Sequence, residues 1–291
     1  MSKLSLRPAL KNNLEGEKSI EYLSNQNYLN FKSIKIFINN SFINELPFGY
    51  NLMDKSGNIV GFLGTMFSYR GVGSSKKLYC NLHTWIVDEK FRLNFFSNSK
   101  EILKIIFDHN CGFFAKPSKS LIRIFLRNFD MSVVSMKYRI NFLLHFKYLF
   151  KNTYKIITEE DPMFQTHLND ENKKIHLDHK NMKCKKFLII KNDNINDNIF
   201  VAVLKKRKKF LLNVLEIVYC SNIENLKSIW PEVSFKIAKK FKAIFCGQYY
   251  LNKDNCVFPN LKLIKDSEYE VVVKNLPPDF KFDTLYSELV Y

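Results

Sequence analysis

The sequence predicts an α/β fold with a mixed sheet (α+β in its strand arrangement), built twice along one chain. Three observations carry this. Residues 48–142 alternate strand-like and helix-like stretches in the order β-β-β-α-β-α-β. A similar order starts again at Lys185 and runs to about residue 275, although residue identity hardly repeats. In the first copy, the segment Asp88 to Phe96 interrupts the apolar period between a strand and a helix.

The elements follow in order. Residues 1–45 are polar, with candidate helices at Leu14–Tyr22 and Tyr28–Phe42. Gly49–Met53 and Ile59–Phe67 form a hairpin around Asp54-Lys55-Ser56-Gly57-Asn58, a run of turn formers. Lys77 to Val87 is a third strand, rich in β-formers such as Tyr79, Thr84, Trp85, Ile86 and Val87. Ser97 or Asn98 offers a cap for a helix to about Asp108. A short strand at Cys111–Ala115, a helix from Leu121 to about Asn128 and a returning pair of strands at Ser132–Phe142 complete the copy. In the second copy, strands at Lys186–Lys191, Ile199–Lys205 and Phe210–Cys220 precede a helix from Leu226 to Phe241. A strand at Ala243–Tyr249 and a hairpin at Leu261–Lys274 follow. The polar stretch Thr158–Asn181 reads as the junction, so the expected division is 1–150, a linker at 151–181, and 182–291.

Composition sets the outer bounds. A chain of 291 residues, 46% hydrophobic, buries a real core and is not globally disordered. Its net charge of +17 suits a polyanion such as tRNA, but abundant Lys, Asn and Ile beside only 9 glycines also fit an AT-rich codon bias. Six cysteines without a CxxC pair point to a reducing compartment. The N-terminus lacks the apolar stretch of a signal peptide, and Lys, Asn or Arg interrupts every apolar run well short of the ~18–20 residues of a membrane helix. A cytoplasmic protein without a membrane span is expected.

The segment from the third strand into the first helix resembles the GNAT acyltransferase superfamily. Trp85-Ile86-Val87 matches that family's strand end, Asp88–Phe91 its linker, and Arg92 the basic residue that opens its Arg/Gln-x-x-Gly-x-Gly/Ala loop. Phe95 and Ser97 stand where the loop's glycines would be. The resemblance implies acetyl-CoA or another acyl-CoA as co-substrate, held by Ile86, Val87, Arg92, Leu93, Asn94, Phe95, Phe96, Ser97 and Asn98. In such a site the strand backbone bonds the pantetheine arm, and loop amides with the helix N-terminus take the pyrophosphate. The second copy has Cys220-Ser221-Asn222-Ile223-Glu224 at the equivalent place, without basic opener or glycine, and is expected to be degenerate and to bind no cofactor. The closing Phe282–Glu288 resembles the tail of two-unit bacterial acetyltransferase-like proteins.

Acyl transfer to an amine needs a base, an oxyanion donor and a proton for the leaving thiolate. Where the family often carries a strand Glu, this chain has Asn81, which can orient a water or the acceptor. His83 shares its strand face, with an ordinary pKa of about 6.5 that suits a base. The resemblance implies that Tyr138 protonates the thiolate. Glu216 reads as a half-exposed strand carboxylate. His176-Leu177-Asp178-His179, with Cys184 beyond, lacks paired zinc spacing, so no metal is assigned. Lys205–Lys209 reads as a solvated hairpin turn or a phosphate-binding patch.

Three functions stay open on these readings. The first is an acyl-CoA-dependent N-acetyltransferase acting on a small amine. The second is a transferase of the same tandem fold that takes its group from aminoacyl-tRNA. The third is an inactive, basic binding or assembly protein.

Overall fold

A computed structural model describes residues 4–26, 42–71, 73–144, 152–191, 194–207, 213–251, 256–258, 267–277 and 284–286. The candidate helix at 28–42 lies outside these residues except for Phe42.

The chain opens with a strand that the sequence reading lacks, β1 (Ser5–Ala9). Helix α1 (Leu14–Ser24) follows, and Asn13 Oδ1 caps it by accepting the Gly16 N–H at 2.7 Å. Only glycine fits at position 16, because a Cβ there would sit 2.0 Å from the Leu10 carbonyl oxygen. Then come β2 (Gly49–Met53), β3 (Ile59–Arg70) and β4 (Lys77–Val87). In the β2–β3 turn, Asp54 Oδ1 accepts the N–H groups of Ser56 and Asn58, both at 2.9 Å, while Gly57 adopts φ +81°. A 3-10 turn at Glu89–Asn94 leads into α2 (Phe95–Asp108), which starts ahead of both expected cap residues, Ser97 and Asn98. β5 (Gly112–Ala115), α3 (Lys119–Phe129) and β6 (Ser132–Phe142) follow, with β6 one continuous strand and not a returning pair.

The expected linker is structured. It contains β7 (Tyr154–Thr158), a single turn α4 (Met163–Thr166) and α5 (Asp170–Asp178). The remaining elements are β8 (Lys185–Lys191), β9 (Asn194–Arg207), β10 (Asn213–Cys220), α6 (Ile223–Phe241), β11 (Phe245–Tyr250) and β12 (Ser267–Lys274). Residues 194–198, between the strands expected at Lys186–Lys191 and Ile199–Lys205, thus belong to β9, and of the expected hairpin at 261–274 only β12 is described.

The described strands form one mixed sheet in the order β1-β2-β3-β4-β5-β12-β6-β11-β10-β9-β8-β7. The order repeats on either side of its centre. β4 and β10 are each antiparallel to the strand before them and parallel to the strand after the next helix, β5 and β11. β6 pairs with β11 through Lys137–Phe142, and β12 sits between β5 and β6. Each half therefore contains a strand from the other's stretch of sequence, and no cut near residue 150 separates them.

Both faces of the sheet are covered. On one face α2 and α3 press Leu103, Ile106 and Phe125 onto Cys80, Leu82 and Phe113, while α6 presses Leu226, Trp230 and Val233 onto Leu215, Ile217 and Val201. On the other, α1 covers Phe62, Met66 and Ile86, and α4 and α5 cover Leu188, Ile190, Phe200 and Leu204. Burial on two faces explains the unbroken apolar runs Phe187–Ile190 in β8 and Ile199–Leu204 in β9. Phe164 and Ile175 lie in that core, so the stretch expected as a linker is packed structure.

Candidate functional site

The two parallel pairs at the middle of each half come apart in the same way. β4 pairs with β5 only from Tyr79↔Gly112 to Leu82↔Ala115, and then runs on to Val87 without a described strand on that side. Its ladder with β3 shifts register between Leu63 and Gly64, which makes Thr84 the extra residue of a bulge. Thr84 has φ +43°, a left-handed conformation that costs a β-branched residue about 1–3 kcal/mol. β10 has its own register shift between Ile217 and Tyr219, just beyond its last pair with β11, Ile217↔Gln248.

The connections that follow differ. After Val87 the chain makes the 3-10 turn before α2, whereas α6 starts three residues after Cys220 with Asn222 as its cap. In the first half, Ile86 is buried beneath α1 and Val87 packs with Leu4, Leu52 and Val60. Asp88 Oδ1 accepts the Tyr22 O–H at 2.8 Å, tying α1 to the strand end. Arg92 is exposed and donates from Nε to the Val87 carbonyl oxygen at 3.3 Å, so its charge stands at the mouth of the opening. Leu93 and Asn94 end the 3-10 turn, and Phe95, Phe96, Ser97 and Asn98 form the first turn of α2; their side chains lie outside what is described.

On β4, Tyr79, Asn81 and His83 alternate onto one face. Asn81 is 7% exposed; its Nδ2 donates to the Tyr286 carbonyl oxygen at 3.3 Å, and its Oδ1 is buried without a partner among the described residues. That bond fixes which end of the amide is which. The His83 ring packs over Gly64, where a Cβ would lie 2.2 Å from its Cε1, and Nδ1 is 2.9 Å from Thr84 Oγ1. Burial pushes the imidazole down to about 3, against a small upward effect of a backbone bond at Thr65. The ring is neutral near pH 7, and the ordinary titration expected of it is displaced.

Tyr138 does not join this group. β5 and β12 separate β6 from β4, three strand spacings or about 14 Å. The phenol lies over Gly247 beside Glu216, with its ring 4.5 Å from that of Tyr249, and burial raises its pKa further above the ordinary range. Glu216 is 1% exposed, not half-exposed, and its Oε1 accepts from Lys206 Nζ at 2.7 Å. Part of the basic run at 205–209 therefore neutralises a buried carboxylate, while residues 208 and 209 lie outside the described residues.

A cavity of about 370 Å³ opens on this face of the sheet, between the ends of β3 and β10. Arg70, Tyr79, Lys174, Ser221, Tyr249 and Tyr286 are among its walls. Residues 284–286 form the seam. Thr284 N–H donates to the Val218 carbonyl oxygen at 3.1 Å, taking the β10 backbone where it parts from β11. Tyr286 O–H donates to Asp178 Oδ2 at 2.7 Å, and His179 Nε2 is 3.1 Å from the Leu285 carbonyl oxygen. His179 also meets the Ile175 carbonyl oxygen through Nδ1 at 2.9 Å, and burial holds its pKa down to about 4. The His176–His179 stretch thus packs α5 and the 284–286 seam, and among the described residues no cluster of three potential metal ligands occurs. Neither the cavity nor the seam is legible in the sequence, because both join segments far apart along the chain, as Thr284 with Val218, Tyr286 with Asp178 and Tyr286 with Asn81 do.

No family model and no curated protein matches the sequence. Solved structures do. The chain is similar to a GCN5-related N-acetyltransferase from Anabaena variabilis, with a TM-score of 0.62 and 10% identity over 93% of this chain and 72% of that one. A GCN5-related N-acetyltransferase from Kribbella flavida matches at TM-score 0.62 and 10% identity, covering 94% and 71%. The N-myristoyltransferase of Saccharomyces cerevisiae, solved with bound myristoyl-CoA, matches at TM-score 0.52 and 9% identity, covering 94% and 82%. The fold is the GNAT acyltransferase fold. No described helix is long and apolar enough to cross a membrane.

Proposed function

We propose that the protein is an acyl-CoA-dependent N-acyltransferase in which the opening between β4 and β5 takes the co-substrate and the neighbouring cavity takes a small amine. One observation carries the reading: beyond Leu82 the edge of β4 is free of a described strand partner, is bulged at Thr84, and leads through a turn to a helix N-terminus. Acyl-CoA supplies a thioester whose carbonyl carbon an amine can attack. The β4 backbone from His83 to Val87 offers amide and carbonyl groups to an extended amide-bearing arm, as an exposed strand edge does. Arg92 and the first turn of α2 offer positive charge to a diphosphate.

Asn81 Oδ1 accepts a hydrogen bond from the attacking amine and orients it. His83 acts as a neutral hydrogen-bonding group near pH 7, since burial keeps it uncharged. Tyr138, three strands away, has no part in the transfer on this reading. Thr284 already bonds the β10 backbone at Val218, which favours the first opening over the second as the co-substrate site. The repeated strand order supports two related units that exchange β6 and β12, with the second lacking a co-substrate loop. Acetyl-CoA is the donor to try first; the aminoacyl-tRNA alternative rests on the net charge of +17 and on Phe95 standing in place of a loop glycine.

Thermal unfolding with and without acetyl-CoA tests this. A ligand at a hundred times its Kd stabilises the native state by about 2.7 kcal/mol. Arg92→Ala is expected to weaken binding roughly ten- to a hundred-fold, the worth of one charge-assisted contact. No shift at millimolar acetyl-CoA overturns the reading, and a shift with aminoacyl-tRNA instead favours the alternative donor.

A further inference from the structure

The opening between β4 and β5 carries a more specific statement about the donor, resting on the co-substrate reading above. Past their last pair, Leu82↔Ala115, the two strands part. Strict alternation would put Trp85 on the face of Asn81 and His83. The extra residue Thr84 turns it to the other face, opposite Leu63, where it packs onto the α2 and α3 core. There the indole meets Phe125 of α3, the helix that follows β5, with ring centroids 6.0 Å apart at 51°. Phe125 is 2% exposed, and the rings of Phe113 and Phe129 pack on it at 6.3 Å each. Leu82, Ala115 and Ile122 belong to the same cluster, at the point where the strands rejoin. The apolar side of the gap is thus floored by packed side chains.

Arg92 meets the Val87 carbonyl oxygen, so an arm that runs from there back along β4 to His83 covers about 13 Å. Its thioester end then lies close to where the strands rejoin, above this floor. We propose that Trp85, seated on Phe125, sets the length of the donor's acyl group: it closes the apolar side of the gap, so the protein takes a short acyl thioester such as acetyl or propionyl and not a fatty one. A longer chain has to displace the indole or run out on the Asn81 face. On that face the cavity of about 370 Å³ has Arg70, Lys77, Glu171 and Lys174 among its walls. Burying hydrocarbon against them strips water from charged groups, a cost that offsets the gain. An apolar cavity of about 340 Å³, lined by Leu6, Pro8 and Tyr50 among others, lies over β1 and β2, at least two strands from β4.

Calorimetric titration of CoA, acetyl-CoA, butyryl-CoA and hexanoyl-CoA into the full chain tests this without an acceptor. A chain buried on binding gains about four-fold in affinity per methylene, so hexanoyl-CoA, four methylenes longer, would exceed acetyl-CoA roughly two-hundred-fold in an open apolar pocket. The unaltered protein is expected to bind hexanoyl-CoA no tighter than acetyl-CoA. Trp85→Ala, which empties the floor, is expected to favour hexanoyl-CoA by roughly ten-fold or more. Trp85→Phe, which keeps a ring on Phe125, is expected to leave the order of the unaltered protein. Affinity that climbs with chain length in the unaltered protein overturns the proposal, as does a Trp85→Ala variant with unchanged order. If Trp85→Ala does not fold, Trp85→Leu decides in the same way. The two readings fail separately. Affinity that climbs with chain length keeps the co-substrate reading and removes only the length limit, whereas no binding of CoA or any thioester at millimolar concentration removes both.

Discussion

Lowering the pH should destabilise this protein through His83 before its carboxylates matter. The folded ring has its pKa pushed down to about 3, while an unfolded chain titrates it at about 6.5. Between those values the unfolded state carries a proton that the folded state refuses, so stability falls as pH falls, by ~1.36 kcal/mol per pH unit. From about pH 7 to about pH 5 that amounts to about 2 kcal/mol. His179, held at about 4, contributes a similar loss over the same interval, for about 4 kcal/mol together. Native domains are stable by only about 5–15 kcal/mol, so the loss is easily read. Urea unfolding followed by tryptophan fluorescence, repeated across that pH range, measures it. His83→Gln should remove about half of the pH dependence whatever it does to absolute stability. If the variant's stability runs parallel to that of the unaltered protein between those pH values, the ring is not neutral in the folded state. The consequence for chemistry is direct: acyl transfer should not show an ionisation of His83 near 6.5.

Two further perturbations probe the packing around the second half. Gly247→Ala would bring a Cβ within 2.2 Å of Tyr138 Oη and should destabilise by about 1–3 kcal/mol; Tyr138→Phe in the same chain should recover part of this, and strict additivity in urea unfolding would argue against the contact. Glu159→Ala leaves the Lys186 ammonium, whose side chain is 1% exposed and 3.1 Å from Glu159 Oε2, without its partner. Thermal unfolding should register a loss of about 3 kcal/mol that Lys186→Met largely restores, because removing the charge removes the desolvation penalty.

How much of this was legible beforehand depends on the length scale of the signal. The β2–β3 turn was, because Asp54 and Gly57 act within five residues. So was the order from β3 to α3, since apolar period and turn residues change together there. β1 was missed: it is five residues long, contains Pro8, and lies at the sheet edge, where proline is tolerated and the alternation is weak. The linker reading failed because Thr158–Asn181 is polar along its length, yet Phe164, Leu168 and Ile175 lie in one core while Met163 and Leu177 stay exposed. Tyr138 was assigned by its place after α3, but β6 leaves the first half to pair with β11.

The placement of Arg92, Asn81 and His83 on one strand and the turn after it follows from the sequence, where spacing determines face and order. The sequence by itself also determined the class of fold, through its alternation of elements. Tertiary structure alone decided which strands are neighbours. β12, with Val271 and Val272 both fully buried, carries no mark of which strands will flank it. It lies between β5 and β6, and that choice moves Tyr138 away from β4. Tertiary structure also brought Tyr286 to Arg70 and Asn81, across some 200 residues of chain. It set the protonation of His83 as well, because the cost of charging a buried ring depends on what packs against it, here Gly64, and not on its neighbours in sequence.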